Sequence, residues 1–165
     1  MKKKKWWLLV VILVLFIPVY GQVKEIKASE FKEDNLLSLV REASMSQISL
    51  SEEPQSKKQI HKKLSHYFTS DLTDHFIQEN VYEVEGGFVT FGSDFAPYYV
   101  PFFQYDDTTK TGYSKGKWYV WEERSAEEGP YSTPGGIEAV VVTEEEGSWK
   151  VSEIIYELPE DILSP

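Results

Sequence analysis

Apolar residues recur at helical spacing near the start of the folded part of the chain: Phe31, Leu36, Leu37, Leu39, Val40 and Ala43. With Ser29 as N-cap and Glu30 at the positive end of the helix dipole, this spacing predicts a first helix over residues 30–45. Pro54 and Ser56 open a second helix. Its apolar stripe is Ile60, Leu64, Tyr67 and Phe68, with Lys57, Lys58, Lys62 and Lys63 largely on the other face. Thr69-Ser70-Asp71 reads as a stop and a new cap, followed by a short third helix that carries Leu72, Phe76 and Ile77 and ends near Asn80.

From Val81 onwards the period changes to that of strands. Residues 81–85 and 88–91 read as a hairpin, with Gly86-Gly87 supplying the positive φ angles of a tight turn. Residues 98–103 predict a strand in which Pro101 must sit at an edge or bulge. Residues 106–112 read as a polar loop, and residues 117–123, 136–143 and 149–156 as further strands. Helices first and antiparallel strands afterwards indicate an α+β domain. The expected architecture is three N-terminal helices packed on a curved antiparallel sheet of about five to six strands.

Several strands are apolar on both faces. Trp118 and Val120 oppose Tyr119 and Trp121, and Ile137, Ala139 and Val141 oppose Val140 and Val142. A sheet with one wet face alternates apolar with polar residues, so both faces of this one need cover. The helices supply one. The other requires a sheet closing over a pocket, a second copy of the chain, or aromatic side chains packing on each other.

The first 21 residues differ from the rest. Lys2, Lys3, Lys4 and Lys5 precede an uncharged stretch over residues 6–20, and Pro18 and Gly21 close it. Charge, apolar run, helix breaker and small residues follow the order of a secretory signal, with cleavage expected after Gly21. The apolar run would be about 22 Å long as a helix, short of the roughly 20 residues of a comfortable span. An uncleaved membrane anchor is the alternative, and the lysines set the same orientation for both. The expected division is therefore a signal or anchor over 1–21, a linker over 22–28 and one α+β domain over 29–165, placed outside the cytoplasm and secreted or held at the cell membrane.

The charge balance sharpens this picture. The chain has 17 Lys+Arg against 27 Asp+Glu. Without the four leader lysines, 13 positive charges face 27 negative ones, a balance that argues against nucleic acid and anionic lipid as partners. The chain has no cysteine, which excludes disulfides, thiol catalysis and thiolate metal sites.

Tyr67-Phe68-Thr69, Gly86-Gly87, the run from Gly92 through Ser93 and Asp94 to Phe95, Tyr99-Val100-Pro101-Phe102-Phe103, Tyr105-Asp106-Asp107 and Trp149-Lys150-Val151-Ser152 together resemble a family of small exported proteins of unknown function from Gram-positive spore-forming bacteria. The order of helices followed by a curved sheet is also similar to the cystatin-like cone fold of nuclear transport factor 2 and ketosteroid isomerase. The first resemblance implies compartment and fold; it transfers no catalytic residue. The second is one of layout, and fold does not determine function.

Residues 88–105 hold eight aromatics, which read either as core or as the wall of a cleft. Tyr98, Tyr99 and Trp121 are the candidate ligand-facing residues. Enzymes of the cone fold place an acid in an apolar cavity, where desolvation raises its pKa. Asp94 is the weak catalytic candidate for that role, with Asp106 and Glu138 as alternatives, although an aspartate after Gly-Ser commonly caps a turn. His61 and His66 are five apart and do not share a helical face, and no metal site or cofactor motif is recognised. The acidic pairs Asp106-Asp107, Glu122-Glu123 and Glu127-Glu128 and the run Glu144-Glu145-Glu146 are oxygen-rich but lack the spacing of a calcium loop. The resulting expectation is a non-catalytic binding or interaction module at the cell envelope, taking a protein partner, a wall fragment or a small ligand, or pairing with its own copy through the free sheet face. A cone-fold enzyme with a buried carboxylate as general base is the alternative.

Overall fold

Glu33 and Asp34 put two negative charges in the first turn of a long helix, α1 (Glu33–Ile48), at the end where the dipole favours them. This computed structural model describes residues 31–92, 96–125 and 135–163. Leu36, Val40, Ala43 and Gln47 form the buried stripe of α1, and a 3-10 turn (Ser49–Ser51) follows with Leu50 buried. Helix α2 (Lys57–Leu64) begins with a capping box: Gln59 N–H donates to the Ser56 hydroxyl, and the Gln59 side chain accepts from Ser56 N–H. Helix α3 (Ser70–Asn80) is capped by Thr69, whose hydroxyl accepts from Leu72 N–H.

Among the described residues the strands form two separate antiparallel sheets. β1 (Val81–Val84) and β2 (Gly87–Thr90) make a hairpin around Glu85-Gly86. β3 (Lys110–Ser114), β4 (Lys117–Arg124), β5 (Gly136–Glu145) and β6 (Ser148–Ile155) form a four-stranded meander in chain order. A last short helix, α4 (Glu160–Leu163), follows. All of these elements belong to one compact unit, Glu33–Pro165. Among the described residues no helix is long and apolar enough to cross a membrane.

The expected architecture therefore needs correcting. In place of three helices on one curved sheet of five to six strands, the described residues form one long N-terminal helix, smaller helices, and sheets of two and four strands. The mixture is still α+β. The strand expected over residues 98–103 does not form. Tyr98 has a φ of 66°, Tyr105 one of 56°, and Pro101 has no N–H to give, so the segment cannot carry a ladder between the hairpin and the meander. Conversely, β3 overlaps the end of the stretch, residues 106–112, expected to be a polar loop. Lys115 and Gly116, with φ of 50° and 82°, make a two-residue turn of the twist that joins β-strands, and they bring Lys110–Ser114 onto β4.

Both faces of the meander are covered by the chain itself. Val120, Val140, Val142 and Val151 are fully buried on the face that the helical layer reaches; Phe68 forms a parallel bridge to Val151, and Thr69 N–H donates to the Val151 carbonyl. Tyr119, Trp121, Ala139 and Val141 form the second face, closed by Leu158 with Ile137, Ile155 and Ile162 around it. The tail is fastened there by Asp161, which accepts from the Ser114 hydroxyl and pairs with Lys115 at 3.2 Å. Gly112 makes room for this layer: a Cβ at that position would lie 3.3 Å from both Ile162 Cδ1 and Trp121 Cζ3.

Candidate functional site

The three aromatic candidates do not come together. Trp121 is 8% exposed and belongs to the layer under the C-terminal tail. Tyr98 packs on the His75 ring at 5.6 Å, and Tyr99 meets the Phe76 ring edge-on at 4.9 Å, so both lie against α3. The Tyr99 hydroxyl is buried beside the Thr90 hydroxyl, and burial raises its pKa. Around these residues the irregular segment is held by side chains of regular elements. Gln47 and Asn80 bind its backbone near Tyr98 and Pro97, Glu122 accepts from Gln104 N–H, and Arg124 donates to the Phe102 carbonyl. That is how a stretch with no ladder satisfies its peptide groups.

The acids are mostly engaged in structure. Asp94, Glu127, Glu128 and the cleavage position Gly21 lie outside the described residues. Asp106 caps its own turn by accepting from Thr108 N–H at 2.8 Å and the Thr108 hydroxyl at 2.6 Å, which holds its carboxyl below the usual range. Glu138 pairs with Arg124 at 2.5 Å and sits directly across the sheet from Glu122. Glu122, 5% exposed, also accepts from the Thr109 hydroxyl at 2.6 Å. Next to it, Tyr105 lies under the Arg41 guanidinium, 4.4 Å from the ring centroid. Burial pushes the Tyr105 hydroxyl up to about 12, against the pull of Arg41 and with a small push from Glu122. No group of three or more acidic or histidine side chains among the described residues could hold a metal ion. His61 stands 3.5 Å from Asp74, and His75 Nδ1 is 2.9 Å from the Asp71 carbonyl.

Among the described residues, a shallow surface feature lies elsewhere, along α2. An open groove of about 400 Å³ is lined by Gln55, Gln59, Lys62, Lys63, His66 and Tyr67. Its walls are fixed by backbone. Gln55 is bridged to Phe88 by two hydrogen bonds of 2.9 and 2.8 Å, and Gly87 permits this approach because a Cβ there would fall 2.8 Å from the Gln55 carbonyl oxygen. Gln59 is held by the capping box, and the Tyr67 carbonyl accepts from Val151 N–H at 2.8 Å. Lys63 Nζ donates to the Ser49 hydroxyl at 3.1 Å, and the His66 and Tyr67 rings meet edge-on at 5.5 Å. Among the described residues none of Lys57, Lys58, Lys62 and Lys63 forms an ion pair. The Gln55 Nε2 donor is buried without a partner.

The groove residues were not singled out from the sequence, although a signal was present. Four of the 13 positive charges outside the leader fall within the eight residues of α2, in a chain that is otherwise strongly acidic. Such a run ordinarily marks a solvated helix face. The groove is lined by α2 and the residues that flank it, from Gln55 to Tyr67.

The family model described as a protein of unknown function (DUF3993) matches residues 32–124, which take in α1 through β4 and the whole groove. No curated protein and no solved structure matches the chain.

Proposed function

Since the chain belongs to the DUF3993 family of proteins of unknown function, we propose that it is an exported binding module at the cell envelope whose binding surface is the groove beside α2. The leader order of residues 1–21 supports the compartment: four lysines, an uncharged apolar run, then Pro18 and Gly21. The observation that carries the binding role is the open groove itself, which gathers lysines that form no ion pair among the described residues. The lining side chains Lys62, Lys63, Gln55, Gln59, His66 and Tyr67 contain ammonium, amide, imidazole and phenol groups and no carboxylate. This is a recognition surface.

Two measurements test the reading. Full-length protein with a C-terminal tag, expressed in a Gram-positive host, should be degraded by protease added to intact protoplasts or be found in the medium. The Lys62→Glu/Lys63→Glu double variant should fold normally and lose retention on isolated envelopes. Protection from external protease would refute export, and unchanged retention of the double variant would refute the groove as the binding surface.

A further inference from the structure

We propose that the C-terminal tail is a detachable strap over the second face of the meander, opening by itself while the rest of the fold stays intact and uncovering Tyr119 and Trp121. This strap is independent of the groove beside α2. The tail is fastened unlike the layers around it. Elsewhere backbone knits distant elements together: Thr69 N–H and the Tyr67 carbonyl both bond to Val151, and Gln55 is bridged to Phe88. In the tail the backbone bonds stay inside it, with Ile162 and Leu163 N–H both reaching the Pro159 carbonyl. Among the described residues no backbone hydrogen bond joins it to the sheet. Side chains alone hold it down. Leu158 is buried, Ile162 is partly buried on the same layer, and Leu163 is exposed.

The polar fastener is a clasp that stands in water. Asp161 accepts from the Ser114 hydroxyl at the end of β3 and pairs with Lys115 in the turn that follows. The Lys115 side chain is 79% exposed, and an ion pair so placed is weak. Release of the tail leaves the sheet in place. The ladders from β3 to β6 do not involve it, and Val120, Val140, Val142 and Val151 stay buried on the opposite face. Because the tail is followed by no further element of the fold, it can leave without pulling another one away. Exposed Tyr156 and Glu157 lie between β6 and Leu158 and serve as the pivot. A segment with few buried side chains and no shared backbone ladder opens at far lower free energy than the core beneath it. Closed, the chain covers its own aromatic face; open, it presents that face to the surroundings.

The test uses the absence of cysteine from the chain, which makes a single introduced thiol the sole one present. Val141→Cys places it under the tail, and Val140→Cys places it one residue away on the same strand, facing the helical layer. Ala139→Cys is a second reporter under the tail, in case Val141→Cys disturbs the packing. Each protein, purified from an expressing host, is treated with an aromatic disulfide reagent without denaturant, and the labelling rate is followed. The thiols at 141 and 139 should react about tenfold faster or more than the one at 140. Asp161→Ala should raise the rates at 141 and 139 severalfold and leave the rate at 140 unchanged. Equal rates at all three positions would show that the tail leaves only when the whole chain unfolds, and would overturn the strap. Fast labelling under the tail that Asp161→Ala does not change would mean that the face opens by another route, which overturns it too.

Discussion

The Gln47 side chain grips two backbone groups of one loop. Its Nε2 donates to the Tyr98 carbonyl at 2.8 Å, and its Oε1 accepts from Val100 N–H at 2.9 Å. Gln47 is 1% exposed, so this amide does inside the protein what a neighbouring strand would do in a sheet. Gln47→Ala removes both partners at once and leaves two buried peptide groups unpaired. A loss of about 2–4 kcal/mol is expected, read from urea unfolding. A loss below about 1 kcal/mol would mean that water or a shifted loop replaces the amide.

Glu122 plays the corresponding part from the sheet, accepting from Gln104 N–H at 2.7 Å and the Thr109 hydroxyl. Glu122→Leu forfeits hydrogen bonds to a charged acceptor and should cost about 2–3 kcal/mol. Glu122→Gln keeps an oxygen in place and should cost clearly less. Equal losses for the two variants in denaturant unfolding would show that charge, not acceptor geometry, is what Glu122 contributes.

The tail holds the second face of the meander closed. Leu158 is buried against Tyr119, Trp121, Ala139 and Val141, so Leu158→Ala should cost about 2–3 kcal/mol. Truncation after Tyr156 should in addition move tryptophan emission to the red as Trp121 meets water. An unshifted spectrum in the truncated protein would mean that another segment covers this ring.

Tyr105 carries a signature at alkaline pH. Its hydroxyl is buried without a hydrogen-bond partner among the described residues, and its pKa is pushed up to about 12 from an ordinary 10.0. The folded state thus favours the neutral phenol. The contribution is fully present below pH 10 and is lost as pH rises through about 12. Tyr105→Phe deletes the unsatisfied group, so its stability at pH 7 should stay within about 1 kcal/mol of the parent. Its stability should also fall less steeply between pH 10 and 12, as measured by chemical unfolding across that window.

Glu145 carries the opposite signature at acid pH. The Lys150 ammonium, 2.8 Å away, and the Ser70 N–H, 3.0 Å away, hold its carboxyl below the ordinary 4.5. Its stabilisation is present above 4.5 and is lost as pH falls through the lowered folded value. Glu145→Gln should flatten the acid limb of the stability curve and leave the plateau above pH 6 parallel to that of the parent.

Much of the local structure is legible in the residues themselves. Ser56 and Thr69 were expected to open helices and do cap α2 and α3; the periodicity of Leu36, Val40 and Ala43 marks the buried face of α1; Gly86 turns the first hairpin. Caps, turns and amphipathic stripes are short-range devices, set by neighbours within a few positions. The two-faced strands also announced that the meander needs cover on both sides.

What covers the second face, how the strands divide into sheets and where a ligand has room were decided by contacts between distant parts of the chain. Residues 98–103 read as a strand, yet their backbone partners are the side chains of Gln47 and Arg124, with Glu122 holding Gln104 just beyond, brought in from α1 and β4. Trp121 reads as a candidate ligand-facing ring, and in the structure Leu158 and Ile162 pack over its layer. Lys62 and Lys63 read as a solvated helix face, and the structure leaves them there, beside an open groove that runs from Gln55 to Tyr67. Spacing along the chain determines which way a side chain leaves its own element. Packing between elements determines what it meets there, and for this protein that decides both the closed sheet and the open groove.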